Sequence, residues 1–130
     1  LVADDDDGVR RFVSRALAYS GHDVVEAEDG GLAMDIVTDE VGRFDLLLSD
    51  VKMPVMDGIA LATDVAQDYP GLPILLMTGF ADQRERAEGL NAIVYDVILK
   101  PFSMADILTK VSDALENKPV EIVSLARLAV

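Results

Sequence analysis

A chain of 130 residues, 51% hydrophobic and only 5% aromatic, fits one domain with an aliphatic core and leaves no room for a second. Its 24 acidic against 11 basic residues give a net charge of -13, which repels phosphate backbones and excludes nucleic acid as a natural partner. The lack of Cys excludes a disulfide framework and a thiolate metal site and suits the cytoplasm, and no apolar run approaches the length of a membrane span.

Residues 1–3 read as the end of a strand that runs directly into Asp4, Asp5, Asp6 and Asp7. Adjacent carboxylates repel one another by up to about 4 kcal/mol per close pair at an effective dielectric near ~20, so the run needs full solvation or a cation. From Gly8 onward Val9, Phe12, Val13, Ala16 and Leu17 recur at helical spacing, with Asp6 or Asp7 available as N-cap. Capping absorbs one or two of the aspartates and leaves Asp4 and Asp5 at the strand end. The chain starts at Leu1 without Met, so a missing natural N-terminus is expected.

Ser20-Gly21 stops the first helix, and residues 22–27 form a second strand centred on Val24 and Val25. His22, with no second His to share a metal, is expected at the surface. Gly30-Gly31 opens a helix with Leu32, Ala33, Met34, Ile36 and Val37 inward, ending near Gly42. Leu46, Leu47 and Leu48 then make a buried strand that ends in Ser49 and Asp50. A lone strand-end Asp is more often a turn cap than a reactive group. In an open parallel sheet, however, ligands sit in the crevice outside the carboxyl ends of the strands.

Asp57-Gly58 caps a third helix through Ile59, Leu61, Ala62, Val65 and Ala66, stopped by Tyr69-Pro70-Gly71. Residues 73–77 are the next strand and end in Thr78-Gly79. Asp82 begins a charged helix with only Ala87 and Leu90 as core contacts, which leaves it weakly anchored. Residues 94–99 are the last strand, Lys100-Pro101 its exit, and Ser103 caps a helix through Ile107, Leu108, Val111 and Leu115. Five strands alternating with five helices predict an α/β fold, a three-layer α/β/α sandwich around a five-stranded parallel sheet with right-handed crossovers. Residues 117–130 read as a C-terminal tail beyond a domain of residues 1–116.

Polar residues converge at the strand ends: Asp4 and Asp5, then Asp50, then Thr78, then Lys100. Three carboxylates with a backbone carbonyl make a hard oxygen site suited to Mg2+. Lys100 offers a compact positive charge and Thr78 a hydroxyl for a phosphoryl group, on whose phosphorus Asp50 can act as nucleophile.

In the pair Asp4-Asp5, in Asp50 with MPVMDG after it, in Thr78-Gly79 and in Lys100-Pro101-Phe102, the chain resembles the response-regulator receiver domains of the CheY-like superfamily. The resemblance spans residues 1–116 and implies a flavodoxin-like sheet of strand order 2-1-3-4-5. It implies that Asp50 accepts phosphate from a histidine kinase or a histidine phosphotransfer protein. It implies that Asp5, Asp50 and the Lys52 carbonyl ligate Mg2+, with Asp4 acting mainly through water, that Thr78 moves onto the acyl phosphate and that Lys100 pairs with it. A cis Lys100-Pro101 bond, a signalling domain rather than an enzyme, and a cytoplasmic monomer or weak dimer are further implications. One position departs from the pattern: three residues before the lysine stands Val97 where receivers often carry the switching Tyr or Phe, with Tyr95 and Phe80 nearby.

The stretches LLMTGFADQRERAEGL and DLLLSDVKMPVMDGIAL are similar to a narrower group, the CpdR-like single-domain receivers of alphaproteobacteria. That similarity implies a phosphorelay receiver which, unphosphorylated, primes the ClpXP protease through its ClpX unfoldase for selected substrates. A phosphate shuttle and a receiver fragment of a larger regulator are the alternatives. A phosphatase of the haloacid dehalogenase type needs an acid two residues after the nucleophile, where this chain has Lys52. An EF-hand ending its acidic run at Gly8 would need Asp at Ala3 and Glu at Ser14.

Overall fold

Short aliphatic runs alternating with amphipathic ones predict a wound sheet, and the computed structural model, which describes residues 1–79 and 93–116, has that form. In chain order the elements are β1 (Val2–Ala3), α1 (Asp7–Tyr19), β2 (Glu26–Ala27), α2 (Gly30–Asp39), β3 (Leu47–Asp50), α3 (Gly58–Asp68), β4 (Ile74–Thr78), β5 (Asp96–Leu99) and α4 (Met104–Glu116). All strands are parallel, in the order β2-β1-β3-β4-β5. This is the flavodoxin-like order that the resemblance to receivers implies. The winding direction reverses between β1 and β3, so the crevice where such sheets bind ligands opens beside Asp4 and Asp50.

Because both faces of a parallel sheet are covered, successive residues in the strand interiors are apolar and alternate between two cores. Leu47, Ile74, Leu76 and Val97 pack toward Leu61 and Val65 of α3. Leu48, Leu75, Met77 and Ile98 pack on the other side with Val13 and Leu17 of α1 and Ile107 and Val111 of α4.

Each described helix starts on a capping side chain. Asp6 accepts from Val9 N at 3.1 Å, Asp29 from Leu32 N at 2.7 Å and Asp57 from Ala60 N at 2.8 Å. At α4 the cap is reciprocal: Ser103 Oγ accepts from Asp106 N at 3.1 Å while Ser103 N donates to Asp106 Oδ2 at 2.9 Å.

Three expectations shift, the last strand among them, which is Asp96–Leu99 rather than residues 94–99. The second strand is Glu26–Ala27 rather than residues 22–27, in register with Val2 and Ala3 of β1. The second helix ends at Asp39, before Gly42, and Leu32 is exposed while Gly30, Ala33 and Val37 are buried. Its apolar residues cover more of the helix circumference than the sheet can bury. The expected helix from Asp82, Phe80 and the tail at 117–130 lie outside the described residues.

Between β3 and α3, Val55 adopts φ 69° with its side chain 86% exposed. A β-branched residue in the left-handed region is strained by about 1–2 kcal/mol, and here burial returns little of it. Val55→Gly should relieve that strain against an ordering cost of about 0.5–1 kcal/mol, for a net effect between neutral and about 1.5 kcal/mol of stabilisation in urea denaturation. A loss above about 1 kcal/mol would refute the assignment of strain.

Candidate functional site

The sheet brings together the residues that the sequence places at strand ends. Asp4 follows β1 and is fully buried, Asp50 ends β3 and is 7% exposed, Thr78 ends β4 and is buried, and Lys100 follows β5. Asp5 is exposed at the rim. Carboxylate oxygens of Asp4, Asp5 and Asp50 lie within 4.8 Å of one another. Lys100 Nζ stands 3.0 Å from Asp50 Oδ1 and 3.6 Å from Asp4 Oδ2. The backbone fixes this meeting: Lys100 N donates to Thr78 O at 2.8 Å, and Val51 N to Met77 O at 3.0 Å. The Lys100-Pro101 peptide is cis, as expected.

The four adjacent aspartates divide into two pairs with different tasks. Asp6 caps α1, and Asp7 in its first turn pairs with Arg10 at 2.5 Å. Arg10 was not singled out by sequence reasoning, although its spacing from Asp7 is that of facing residues on one helix. Its guanidinium also donates to Glu26 at 3.2 Å and to the Asp4 carbonyl at 2.9 Å, tying the ends of β1 and β2 to the start of α1. Asp4 and Asp5 are left to the crevice.

Burial, and next the Asp50 carboxylate, push the Asp4 carboxyl up to about 6, against the opposing Asp6 N–H at 2.9 Å and the Lys100 charge. Asp50 is also raised, by burial first and by Asp5, with Lys100 opposing. Burial draws the Lys100 ammonium down, but the hydrogen bond to Asp50 and the charges of Asp50 and Asp4 outweigh it and hold Lys100 above its ordinary value. Two buried carboxylates beside one ammonium leave excess negative charge, and the buried Asp4 Oδ2 accepts no hydrogen bond from the described residues and faces only the Lys100 ammonium, at 3.6 Å. Hard oxygens lacking donors are the donor set that fits a hard divalent cation such as Mg2+.

A groove of about 930 Å³ runs from Asp5, Asp50 and Lys52 past Lys100 to Phe12 and Phe102, whose rings stack with centroids 6.4 Å apart. Lys52 is exposed along it. Val97 is partly buried against the core on the α3 side, and Tyr95, just before β5, is 41% exposed. Among the described residues no helix is long and apolar enough to cross a membrane.

Comparison with known proteins agrees with this geometry. The response regulator receiver domain, as a family, matches residues 1–112. Response regulator MprA of Mycobacterium avium (strain 104) is 35% identical over 121 residues, which are 93% of this chain and 52% of that protein. The chain thus spans about half the length of the curated relatives it matches. The receiver domain of NtrX from Brucella abortus superposes with a TM-score of 0.81 at 26% identity, over 90% of this chain and 98% of that one. Chemotaxis protein CheY4 of Vibrio cholerae superposes with a TM-score of 0.78 at 31% identity, over 88% of this chain and 95% of that one. Fold and site together define a wound α/β signalling domain with an acidic crevice. The chain belongs to the response regulator receiver domain family of two-component signalling.

Proposed function

We propose that residues 1–116 form a phosphoacceptor receiver, modified on Asp50, whose phosphorylation changes the protein it binds. The observation that carries this is the Asp50 carboxylate, held at a strand end 3.0 Å from Lys100 and beside two further carboxylates. A carboxylate oxygen of Asp50 forms a bond to the phosphorus of a phosphohistidine; the P–N bond breaks, and its electron pair stays on the imidazole, which takes up a proton. Asp5, Asp50 and the Lys52 carbonyl would hold Mg2+, with Asp4 acting through water, and the bound ion supplies positive charge against the phosphoryl oxygens. Lys100 then pairs with the acyl phosphate and Thr78 offers its hydroxyl to it. The apolar end of the groove, at Phe12 and Phe102, suits a helix of the phosphohistidine-bearing protein.

Incubation with acetyl phosphate and Mg2+ followed by intact-mass measurement tests the reading. One phosphate adduct is expected, suppressed by EDTA; an unmodified chain rejects it.

The similarity of residues 45–61 and 75–90 to CpdR-like receivers supports a finer reading, in which the unphosphorylated form is the binder and ClpX the partner. In a pull-down with phosphodonor present, Asp50→Ala should retain ClpX while wild type releases it, and Arg84→Ala/Arg86→Ala should bind poorly. Loss of phosphotransfer in the arginine variant, with no ClpX bound by any form, favours a phosphate shuttle. The half-length match to MprA supports a second reading, a receiver joined to a further output domain. The open reading frame around the segment decides between them.

A further inference from the structure

We propose that the N-terminus of α2 positions the phosphoacceptor loop, with Gly30 as the positioning residue; this deepens the phosphoacceptor reading and rests on it. Residues 51–57 leave Asp50, carry the Lys52 carbonyl and enter α3. Two bare-backbone contacts hold them. At the α3 end, a Cβ on Gly58 would lie 2.0 Å from the Asp50 carbonyl oxygen and 3.0 Å from Val51 Cα. On the α2 side, a Cβ on Gly30 would lie 1.8 Å from the Met56 carbonyl oxygen and 2.7 Å from the Met56 carbonyl carbon. Even a close C–H···O contact keeps carbon and oxygen about 3.3 Å apart, so a methyl group at Gly30 requires a displacement well over an ångström.

The loop is the side that yields. The first turn of α2 is fixed by the Asp29 cap, by the bond from Ala33 N to Asp29 O at 3.1 Å, and by the buried Ala33 and Val37. The loop has an exposed Lys52, an exposed Pro54 and, at Val55, a backbone already in the left-handed region. Displacing Met56 therefore moves the peptides between it and Asp50, the Lys52 carbonyl among them. Gly30 lines no part of the groove itself and acts only through this contact. The neighbouring Gly31 provides a comparison, because its Cβ would meet no backbone but the Val55 side chain at 2.8 Å, an exposed group that can turn away, and the capping Asp29 Oδ1 at 3.3 Å.

The experiment compares wild type, Gly30→Ala, Gly31→Ala and Asp29→Ala by calorimetric Mg2+ titration, with phosphorylation by acetyl phosphate followed across Mg2+ concentrations and the fold monitored by circular dichroism. Gly30→Ala should weaken Mg2+ about 10-fold or more, as loss of a ligand's support does, while the rate at saturating Mg2+ stays within about threefold of wild type. Gly31→Ala, which touches only side chains, should weaken Mg2+ far less than Gly30→Ala. Asp29→Ala loosens the first turn without adding bulk and should weaken Mg2+ by a smaller factor, so it tests the idea even where Gly30→Ala does not fold. Wild-type Mg2+ affinity in Gly30→Ala, equal weakening in Gly31→Ala, or unchanged affinity in Asp29→Ala overturns the proposal while leaving the phosphoacceptor reading intact. A wild type that neither binds Mg2+ nor takes phosphate overturns both.

Discussion

Asp50→Ala is expected to take up no phosphate under conditions that modify wild type once, a loss of essentially the whole reaction because the nucleophile itself is gone. Two other carboxylates lie within 4.8 Å and are the obvious substitutes, so the prediction is specific. Asp4 is a poor replacement: it is buried, its carboxyl is raised to about 6, and Lys100 stands 3.6 Å from it against 3.0 Å from Asp50. Asp5 is exposed, where water competes for the site, and it has no bond to Lys100 in the structure. Intact-mass measurement after acetyl phosphate and Mg2+ checks the outcome. An adduct in Asp50→Ala equal to that of wild type moves the acceptor to a neighbour and removes the central assignment.

The strand-end site was legible because polar residues interrupt runs that are otherwise aliphatic. Asp50, Thr78 and Lys100 each close a hydrophobic strand, and nothing about packing asks for them there. The pair Asp4-Asp5 was legible as a pair only. Successive residues leave a strand on opposite sides, and this geometry buries Asp4 completely while exposing Asp5, a difference that two identical letters cannot carry. The cis Lys100-Pro101 bond and the strand order came from the resemblance to receivers rather than from the residues themselves.

What stayed hidden depends on contacts between elements distant in sequence. Arg10 has a local signal in its spacing from Asp7, but its bonds to Glu26 and to the Asp4 carbonyl exist only once β1 and β2 are paired. Val24 and Val25 are apolar enough to suggest the centre of a strand, yet they lie before β2 and pack one against each of the two cores. The contact of Gly30 with Met56 left only the Gly30-Gly31 doublet as a trace, and that was read as a helix start. Local pattern specifies elements; the close approach of backbones is a property of their docking.

Asp4→Asn should stabilise the metal-free protein near neutral pH while weakening Mg2+ binding. Facing Asp4 are the carboxylates of Asp50 and Asp5, the Lys100 ammonium and the Asp6 N–H, and the net result of burial and these groups is a carboxyl raised from 3.8 to about 6. The folded state therefore holds more protons than the unfolded state between about 4 and 6, and stability must fall as pH rises through that window. Below about 4 the cost is absent; above about 6 it is fully present. A carboxyl raised from 3.8 to about 6 corresponds to about 3 kcal/mol, and the raised Asp50 acts in the same direction. Asn cannot ionise, so Asp4→Asn should recover about 1–3 kcal/mol at pH 7 and flatten the decline between about pH 4 and 6, both measurable by urea denaturation in EDTA. Excess Mg2+ should reverse the ranking, since a ligand at about 100 times its Kd stabilises by about 2.7 kcal/mol the form that binds it. A metal-free Asp4→Asn less stable than wild type at pH 7 would mean that attraction to Lys100 outweighs burial. In that case the crevice is a balanced ion-pair network, and the excess negative charge that favours a divalent cation is not there.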